Sequence, residues 1–151
     1  MSTLSEDVHG AVLELPRSRL SCNIAQARKE TPDARQRLKS LLVRHLRTLR
    51  ENRAIPHIVF SGGLHTGQPE RKAKLAEIIT TYLGSIQKIV EGGHKDGTVR
   101  EDVVSMTVAV MFIGMILPAA ILLNSSDGRF DVIEYASNAW PAFERCIAAE
   151  K

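Results

Sequence analysis

Apolar residues recur at a helical period along nearly the whole chain, and no segment alternates as a half-buried strand would. Leu4, Val8, Ala11, Val12 and Leu15 make one stripe, resumed by Leu20 and Ile24 beyond Pro16. Proline has no amide hydrogen, so a kink or break is expected there. Thr31-Pro32-Asp33 opens a second helix: threonine can cap it, proline suits its first position and aspartate complements the dipole. That helix carries Leu38, Leu41, Leu42, Leu46 and Leu49 on one side, with Arg35, Arg44 and Arg47 among the polar positions. A short third helix is expected within "IPHIVFSGGLHTG", and Gln68-Pro69-Glu70 begins a fourth. The fourth has Leu75, Ile78, Ile79, Tyr82, Leu83, Ile86, Ile89 and Val90 on its stripe, and Gly92-Gly93 offers the positive φ to close it. Asp102 is placed to cap a fifth helix, Asn124 to Arg129 form a polar turn, and a sixth helix starts near Asp131. The expected fold class is all-α, one domain over residues 1–151 built as a bundle of about six helices.

The fifth helix poses a problem. From Val103 to Leu123 it carries no charge, and at 1.5 Å per residue it could cross about 30 Å of hydrocarbon. Its flanks show no one-sided Lys/Arg excess, no Trp or Tyr marks either end, and Ser105, Thr107 and Pro118 lie within it. A helix apolar all round must be covered all round. One side can lie on the chain's own core, which leaves the other in need of a partner. The sixth helix has the same excess: Ile133, Ala136, Trp140, Phe143 and Ile147 form one stripe, with Val132, Tyr135, Ala139, Ala142 and Cys146 beside it. Two such helices predict a symmetric homodimer in which the last two helices of each subunit form a four-helix seam. The expected seam residues are Met111, Met115, Val132, Tyr135, Ala139, Ala142 and Cys146.

Charge changes this picture little. The formal net charge is +3, and eleven Lys/Arg between Arg17 and Arg53 face only Glu30, Asp33 and Glu51. That segment holds no aromatic residue for base stacking, and its basic positions alternate with apolar ones at helical spacing, so solvated helix faces account for it. Cys22 and Cys146 lack a CxxC partner and read as free thiols of a cytoplasmic protein; the polar, acidic start is no secretory signal.

Catalytic motifs are missing. "GGLHTGQP" spaces two glycines as a phosphate-binding loop does, but puts Gln68 and Pro69 where Lys and Ser/Thr are required. The five scattered histidines make no metal pattern, and Ser61 is no nucleophile elbow. Neither an enzyme, a cofactor nor a metal is expected. A cavity is expected instead, because Pro16, Pro56, Pro118 and Pro141 interrupt apolar stretches and Met106, Met111 and Met115 suit an adaptable wall.

Residues 91–116, "EGGHKDGTVREDVVSMTVAVMFIGMI", resemble the join between the last two ligand-domain helices of TetR-type transcriptional regulators. The positions that carry the likeness are Glu91-Gly92, Gly97, Val99, Arg100, Asp102, Ala109 and Gly114. The helix order fits along nearly the whole chain, although Val104 stands where many relatives are acidic and Pro118 interrupts a usually continuous helix. The family's N-terminal helix-turn-helix has no counterpart in this sequence, so DNA would be reached only through such a head. The resemblance implies an effector-sensing and dimerisation domain, in which a small, largely apolar or aromatic effector shifts the helices. The wall expected for that effector is Phe60, Leu64, Tyr82, Ile86, Met106 and Val110, with His57 as a polar contact. Two other readings stand beside it: a dimeric helical interaction protein without a ligand, and a membrane-anchored bundle using residues 103–123.

Overall fold

The computed structural model describes residues 3–53 and 69–150, and these are all-α. Five helices follow in order: α1 (Thr3–Glu30), α2 (Ala34–Glu51), α3 (Pro69–Asp96), α4 (Ser105–Ser125) and α5 (Val132–Ile147). The short helix expected at 55–67 lies outside the described residues.

α2 is the centre of the bundle and packs against each of the other four. Its leucine stripe explains why: Leu38, Leu41, Leu42 and Leu46 are completely buried and Leu49 nearly so. Asp33 starts this helix by accepting the amide hydrogen of Gln36 on its Oδ1 at 3.0 Å. Thr31, one of the expected start residues, stands further out and accepts the Asp33 amide at 3.2 Å. Around α2, α3 packs on α4, α1 crosses both α2 and α3, and α5 closes against α2 and α4. The shared core contains Phe112, Trp140 and Phe143; the Phe112 and Phe143 rings meet edge to face at 6.1 Å.

Several local expectations need correction. Pro16 does not break α1, which runs through it. The buried side of that helix carries Leu13 and Pro16, while Leu15 is exposed. Gly92-Gly93 does not end α3 either. The helix continues to Asp96, and Gly97 takes the positive φ (79°). Gly93 is small for a different reason. A β-carbon there would lie 2.4 Å from Val99 Cγ2 and 2.9 Å from Ala34 Cβ, so glycine lets α3, α2 and the following loop meet. Asp102 does not cap α4; its carboxylate accepts two hydrogen bonds from Arg100 at 2.7 Å, and α4 starts at Ser105 without a side-chain cap. The polar turn and α5 agree with the expectation, Asp131 capping α5 through the amides of Ile133 and Glu134.

The glycine-rich join is tied at both ends. The amides of Thr98 and Val99 return to the Gly93 carbonyl, and Val99 is fully buried. An isolated antiparallel bridge between Val99 and Ala148 then fixes the end of α5 to the entry of α4.

Candidate functional site

α4 divides lengthwise. Val108, Ala109, Phe112, Ile116, Ala119, Ala120 and Leu123 are buried against the other helices. On the opposite side Val110, Met111, Leu117, Ile121 and Leu122 are about half exposed, with Gly114 open between them. This side of α4 therefore exposes an unusual amount of apolar surface among the described residues.

Against α4 lies a solvent-open cavity of about 120 Å³, lined by α1, α2, α3 and α4. α1 contributes Pro16, Arg19 and Leu20, and α2 contributes His45, Thr48 and Leu49. α3 supplies Leu75, Ile78, Ile79 and Tyr82; α4 supplies Ile113, Ile116, Leu117 and Ala120. Nearly all of the exposed wall is carbon.

Two polar groups stand against that apolar wall. His45 Nδ1 and the Tyr82 hydroxyl share a hydrogen bond at 2.8 Å, with the rings edge to face at 5.4 Å. Burial strips water from the imidazole and pushes its pKa down to about 4, so it is neutral at physiological pH. The same loss of water raises the Tyr82 phenol, which keeps its proton. The pair is thus uncharged and adaptable. If His45 accepts from Tyr82, the phenol oxygen can still accept; in the other tautomer the phenol proton is free to be donated. Such a pair satisfies its own polar atoms without burying a charge. A second polar tie lies deeper between α1 and α2, where Asn23 Nδ2 donates to Thr48 Oγ1 at 3.3 Å.

The structure distributes the expected site residues unevenly. Tyr82 lines the cavity. Ile86 is one turn further along α3, fully buried in the core and not on the cavity wall. Met106 and Val110 point outward, 38% and 53% exposed, because the cavity sits against the middle of α4 rather than its first turns. None of the three methionines of α4 lines it. His57, Phe60 and Leu64 lie outside the described residues.

Of the expected seam residues, Met111, Ala142 and Cys146 are exposed and Ala139 is half-buried. Val132 is fully buried within its own subunit, where it packs in the core. Met115 and Tyr135 are partly covered and hold each other, the Tyr135 hydroxyl donating to the Met115 carbonyl at 2.7 Å.

His45 was missed in the sequence because it is one of five histidines with no motif. A signal existed, since it falls between Leu42 and Leu49 on the leucine side of α2.

Residues 18–143 match a TetR-type C-terminal family model described as "YsiA-like protein, C-terminal region". None of the curated proteins matches the sequence. Among solved structures, the fatty acid degradation regulator FadR from Bacillus halodurans superposes with a TM-score of 0.76 at 16% identity, covering 90% of this chain and 72% of that one. AibR, solved with isovaleryl coenzyme A and operator DNA, gives 0.68 at 14% identity, covering 91% and 73%. A tetR-family regulatory protein from Rhodococcus RHA1 gives 0.68 at 18% identity over 99% and 73%. These likenesses establish a shared fold, and the family match covers most of the chain. The chain belongs to the TetR-type family of YsiA-like C-terminal regions.

Proposed function

We propose that this chain is the sensing and dimerisation domain of a transcriptional regulator whose effector is a small, largely apolar acyl group on a polar carrier. The observation that carries the reading is the apolar, solvent-open cavity between α1, α2, α3 and α4, with the neutral His45–Tyr82 pair on its wall. Apolar walls with a few polar groups that fix orientation are the usual makeup of a small-molecule site. The AibR structure holds isovaleryl coenzyme A, and the FadR relative is a fatty acid degradation regulator, which supports an acyl effector. His45, Tyr82, Ile78 and Ile116 are the cavity residues expected to touch it. The domain binds rather than catalyses, and DNA is contacted through a helix-turn-helix head.

The exposed side of α4 and the Ala142–Cys146 side of α5 form the pairing surface with a second copy, so Val110 joins Met111 there. α4 is long and apolar enough to span a bilayer. Its inner side is nevertheless committed to the bundle core, which favours a partner subunit over lipid as the cover for its outer side.

Thermal unfolding with added isovaleryl coenzyme A tests the sensing role. A ligand at a hundred times its Kd adds about 2.7 kcal/mol to stability, and a Tyr82→Ala variant should lose that gain. Sedimentation without detergent tests the pairing: a well-folded monomer at micromolar concentration would remove it.

A further inference from the structure

The polar side of α2 borders a solvent-open groove of about 470 Å³ that begins at the end of α1 and shares no residue with the cavity. Lys39, Val43 and Arg47 follow one another along it at four-residue steps, so they lie on one side of the helix. The two cations are eight residues apart, about 12 Å of helix rise. Both are exposed, and Val43 between them is half-buried. Glu30, the carboxylate on the groove lining, is already satisfied. It accepts the Ser40 hydroxyl at 2.6 Å and pairs with Arg44, which also donates to Ser40 at 3.2 Å.

A neighbouring cation is committed as well. Arg37 donates to the carbonyls of Thr31 at 2.7 Å and Arg28 at 3.3 Å, closing the end of α1. Lys39 and Arg47 have no such tie, and neither pairs with a carboxylate among the described residues. Nor does the rest of the sequence offer one. Residues 54–68 contain no Asp or Glu. Glu6 and Asp7 stand at the opposite end of α1; Asp7 to Glu30 is 23 residues, about 35 Å of helix. The positive charge of this groove is therefore left for something outside the chain.

We infer that this groove docks an acidic segment of a partner protein, with two carboxylates about two helical turns apart and an aliphatic side chain between them. Charge sets the sign of the partner, and Val43 sets the rest. Carboxylates eight residues apart on a helix repeat the spacing of Lys39 and Arg47, and an aliphatic residue midway covers Val43. A nucleic-acid backbone fits less well. Its unbroken row of charge brings phosphate against Glu30, nothing in it covers Val43, and no aromatic side chain lines the groove for a base to stack on. A bilayer surface is flat and does not follow a groove between helices. Exposed ion pairs contribute little singly, so the contact rests on several at once and weakens with salt. This surface stands apart from the effector reading.

The test is fluorescence anisotropy of the whole chain with a labelled alanine-based helical peptide in which Glu and Leu alternate at four-residue steps. This peptide should bind about tenfold more tightly than its copy with Gln in place of Glu, and added salt should erase most of the difference. Lys39→Glu combined with Arg47→Glu should abolish the preference for the Glu peptide. Lys72→Glu combined with Lys88→Glu makes the same change in net charge at exposed positions of α3 and should leave the preference within about twofold. Val43→Thr, close in shape, should remove the advantage of Leu over Ala midway between the glutamates. Circular dichroism confirms that each variant is folded. Equal binding of the Glu and Gln peptides would overturn the proposal, and so would a loss in the α3 control as large as in the groove variant. Tighter binding of a DNA duplex or of phosphatidylglycerol vesicles than of the Glu peptide would overturn the choice of a protein partner.

Discussion

The two sides of α4 are made of the same kinds of residue and lie in opposite surroundings. Phe112, Ile116 and Leu123 are almost completely buried, whereas Val110, Ile121 and Leu122 on the other side remain about half exposed. No polar residue marks the division, so the difference comes from what each side meets. The inner side faces α2, α3 and α5, and part of it bounds the cavity. The outer side carries the exposed residues among those described. Burial is thus set by what a residue meets rather than by its type. Leu117 belongs to both regions, 44% exposed and yet on the cavity wall.

Mutations can break or sharpen the contrast. The largest effect is expected from Phe112→Ala, which leaves a hole in the core and should cost about 3–5 kcal/mol in urea unfolding. A loss below 1 kcal/mol would mean that the inner side is not the packed side. Next comes the pH dependence of His45. Its pKa falls from 6.5 unfolded to about 4 folded, so the unfolded state binds more protons between those values. Stability should be complete above about pH 6.5 and should fall toward pH 4, by about 3 kcal/mol over the whole window. His45→Gln, which can still bond Tyr82 but does not titrate, should flatten that slope in urea midpoints measured at several pH values.

Gly93→Ala probes the tight join that holds α4 in place. The added carbon must displace Val99 or Ala34, and a cost of about 1–3 kcal/mol is expected in thermal unfolding. Tyr82→Phe removes one hydroxyl and leaves His45 Nδ1 without its partner, for a loss of about 1 kcal/mol. Smallest for the isolated subunit is Ile121→Ser on the outer side, within about 0.5 kcal/mol when measured at a concentration where subunits are apart. Its effect should show in sedimentation, where self-association weakens while helix content is unchanged. If Ile121→Ser unfolds the dilute subunit as severely as Phe112→Ala does, the distinction between the two sides is lost.

How far the sequence could be read depended on contrast between neighbouring positions. α2 was legible because its leucines alternate with arginines at a helical period, and every leucine named from the pattern is buried. α5 was partly legible: Ala136, Trp140, Phe143 and Ile147 are inside, but Val132, assigned to the outer stripe, is inside as well. In α4 the periodic contrast vanishes, so Met106 and Val110 could not be placed from the pattern. The cavity followed the same rule. Tyr82 was found on an amphipathic stripe, while Ile113, Ile116, Leu117 and Ala120 lay hidden in a uniform run.

By itself the sequence determined the helices, their order and the presence of more apolar surface than one small bundle can cover. Those are local or additive properties: helical periodicity, caps, glycine and proline positions, and total area. Tertiary structure alone decided which side of α4 turns inward, where the helices stand apart to leave a cavity, and which histidine meets Tyr82 there. Each of these depends on the relative positions of helices far apart in the chain. Side-chain shapes fix those positions only when all the helices pack together.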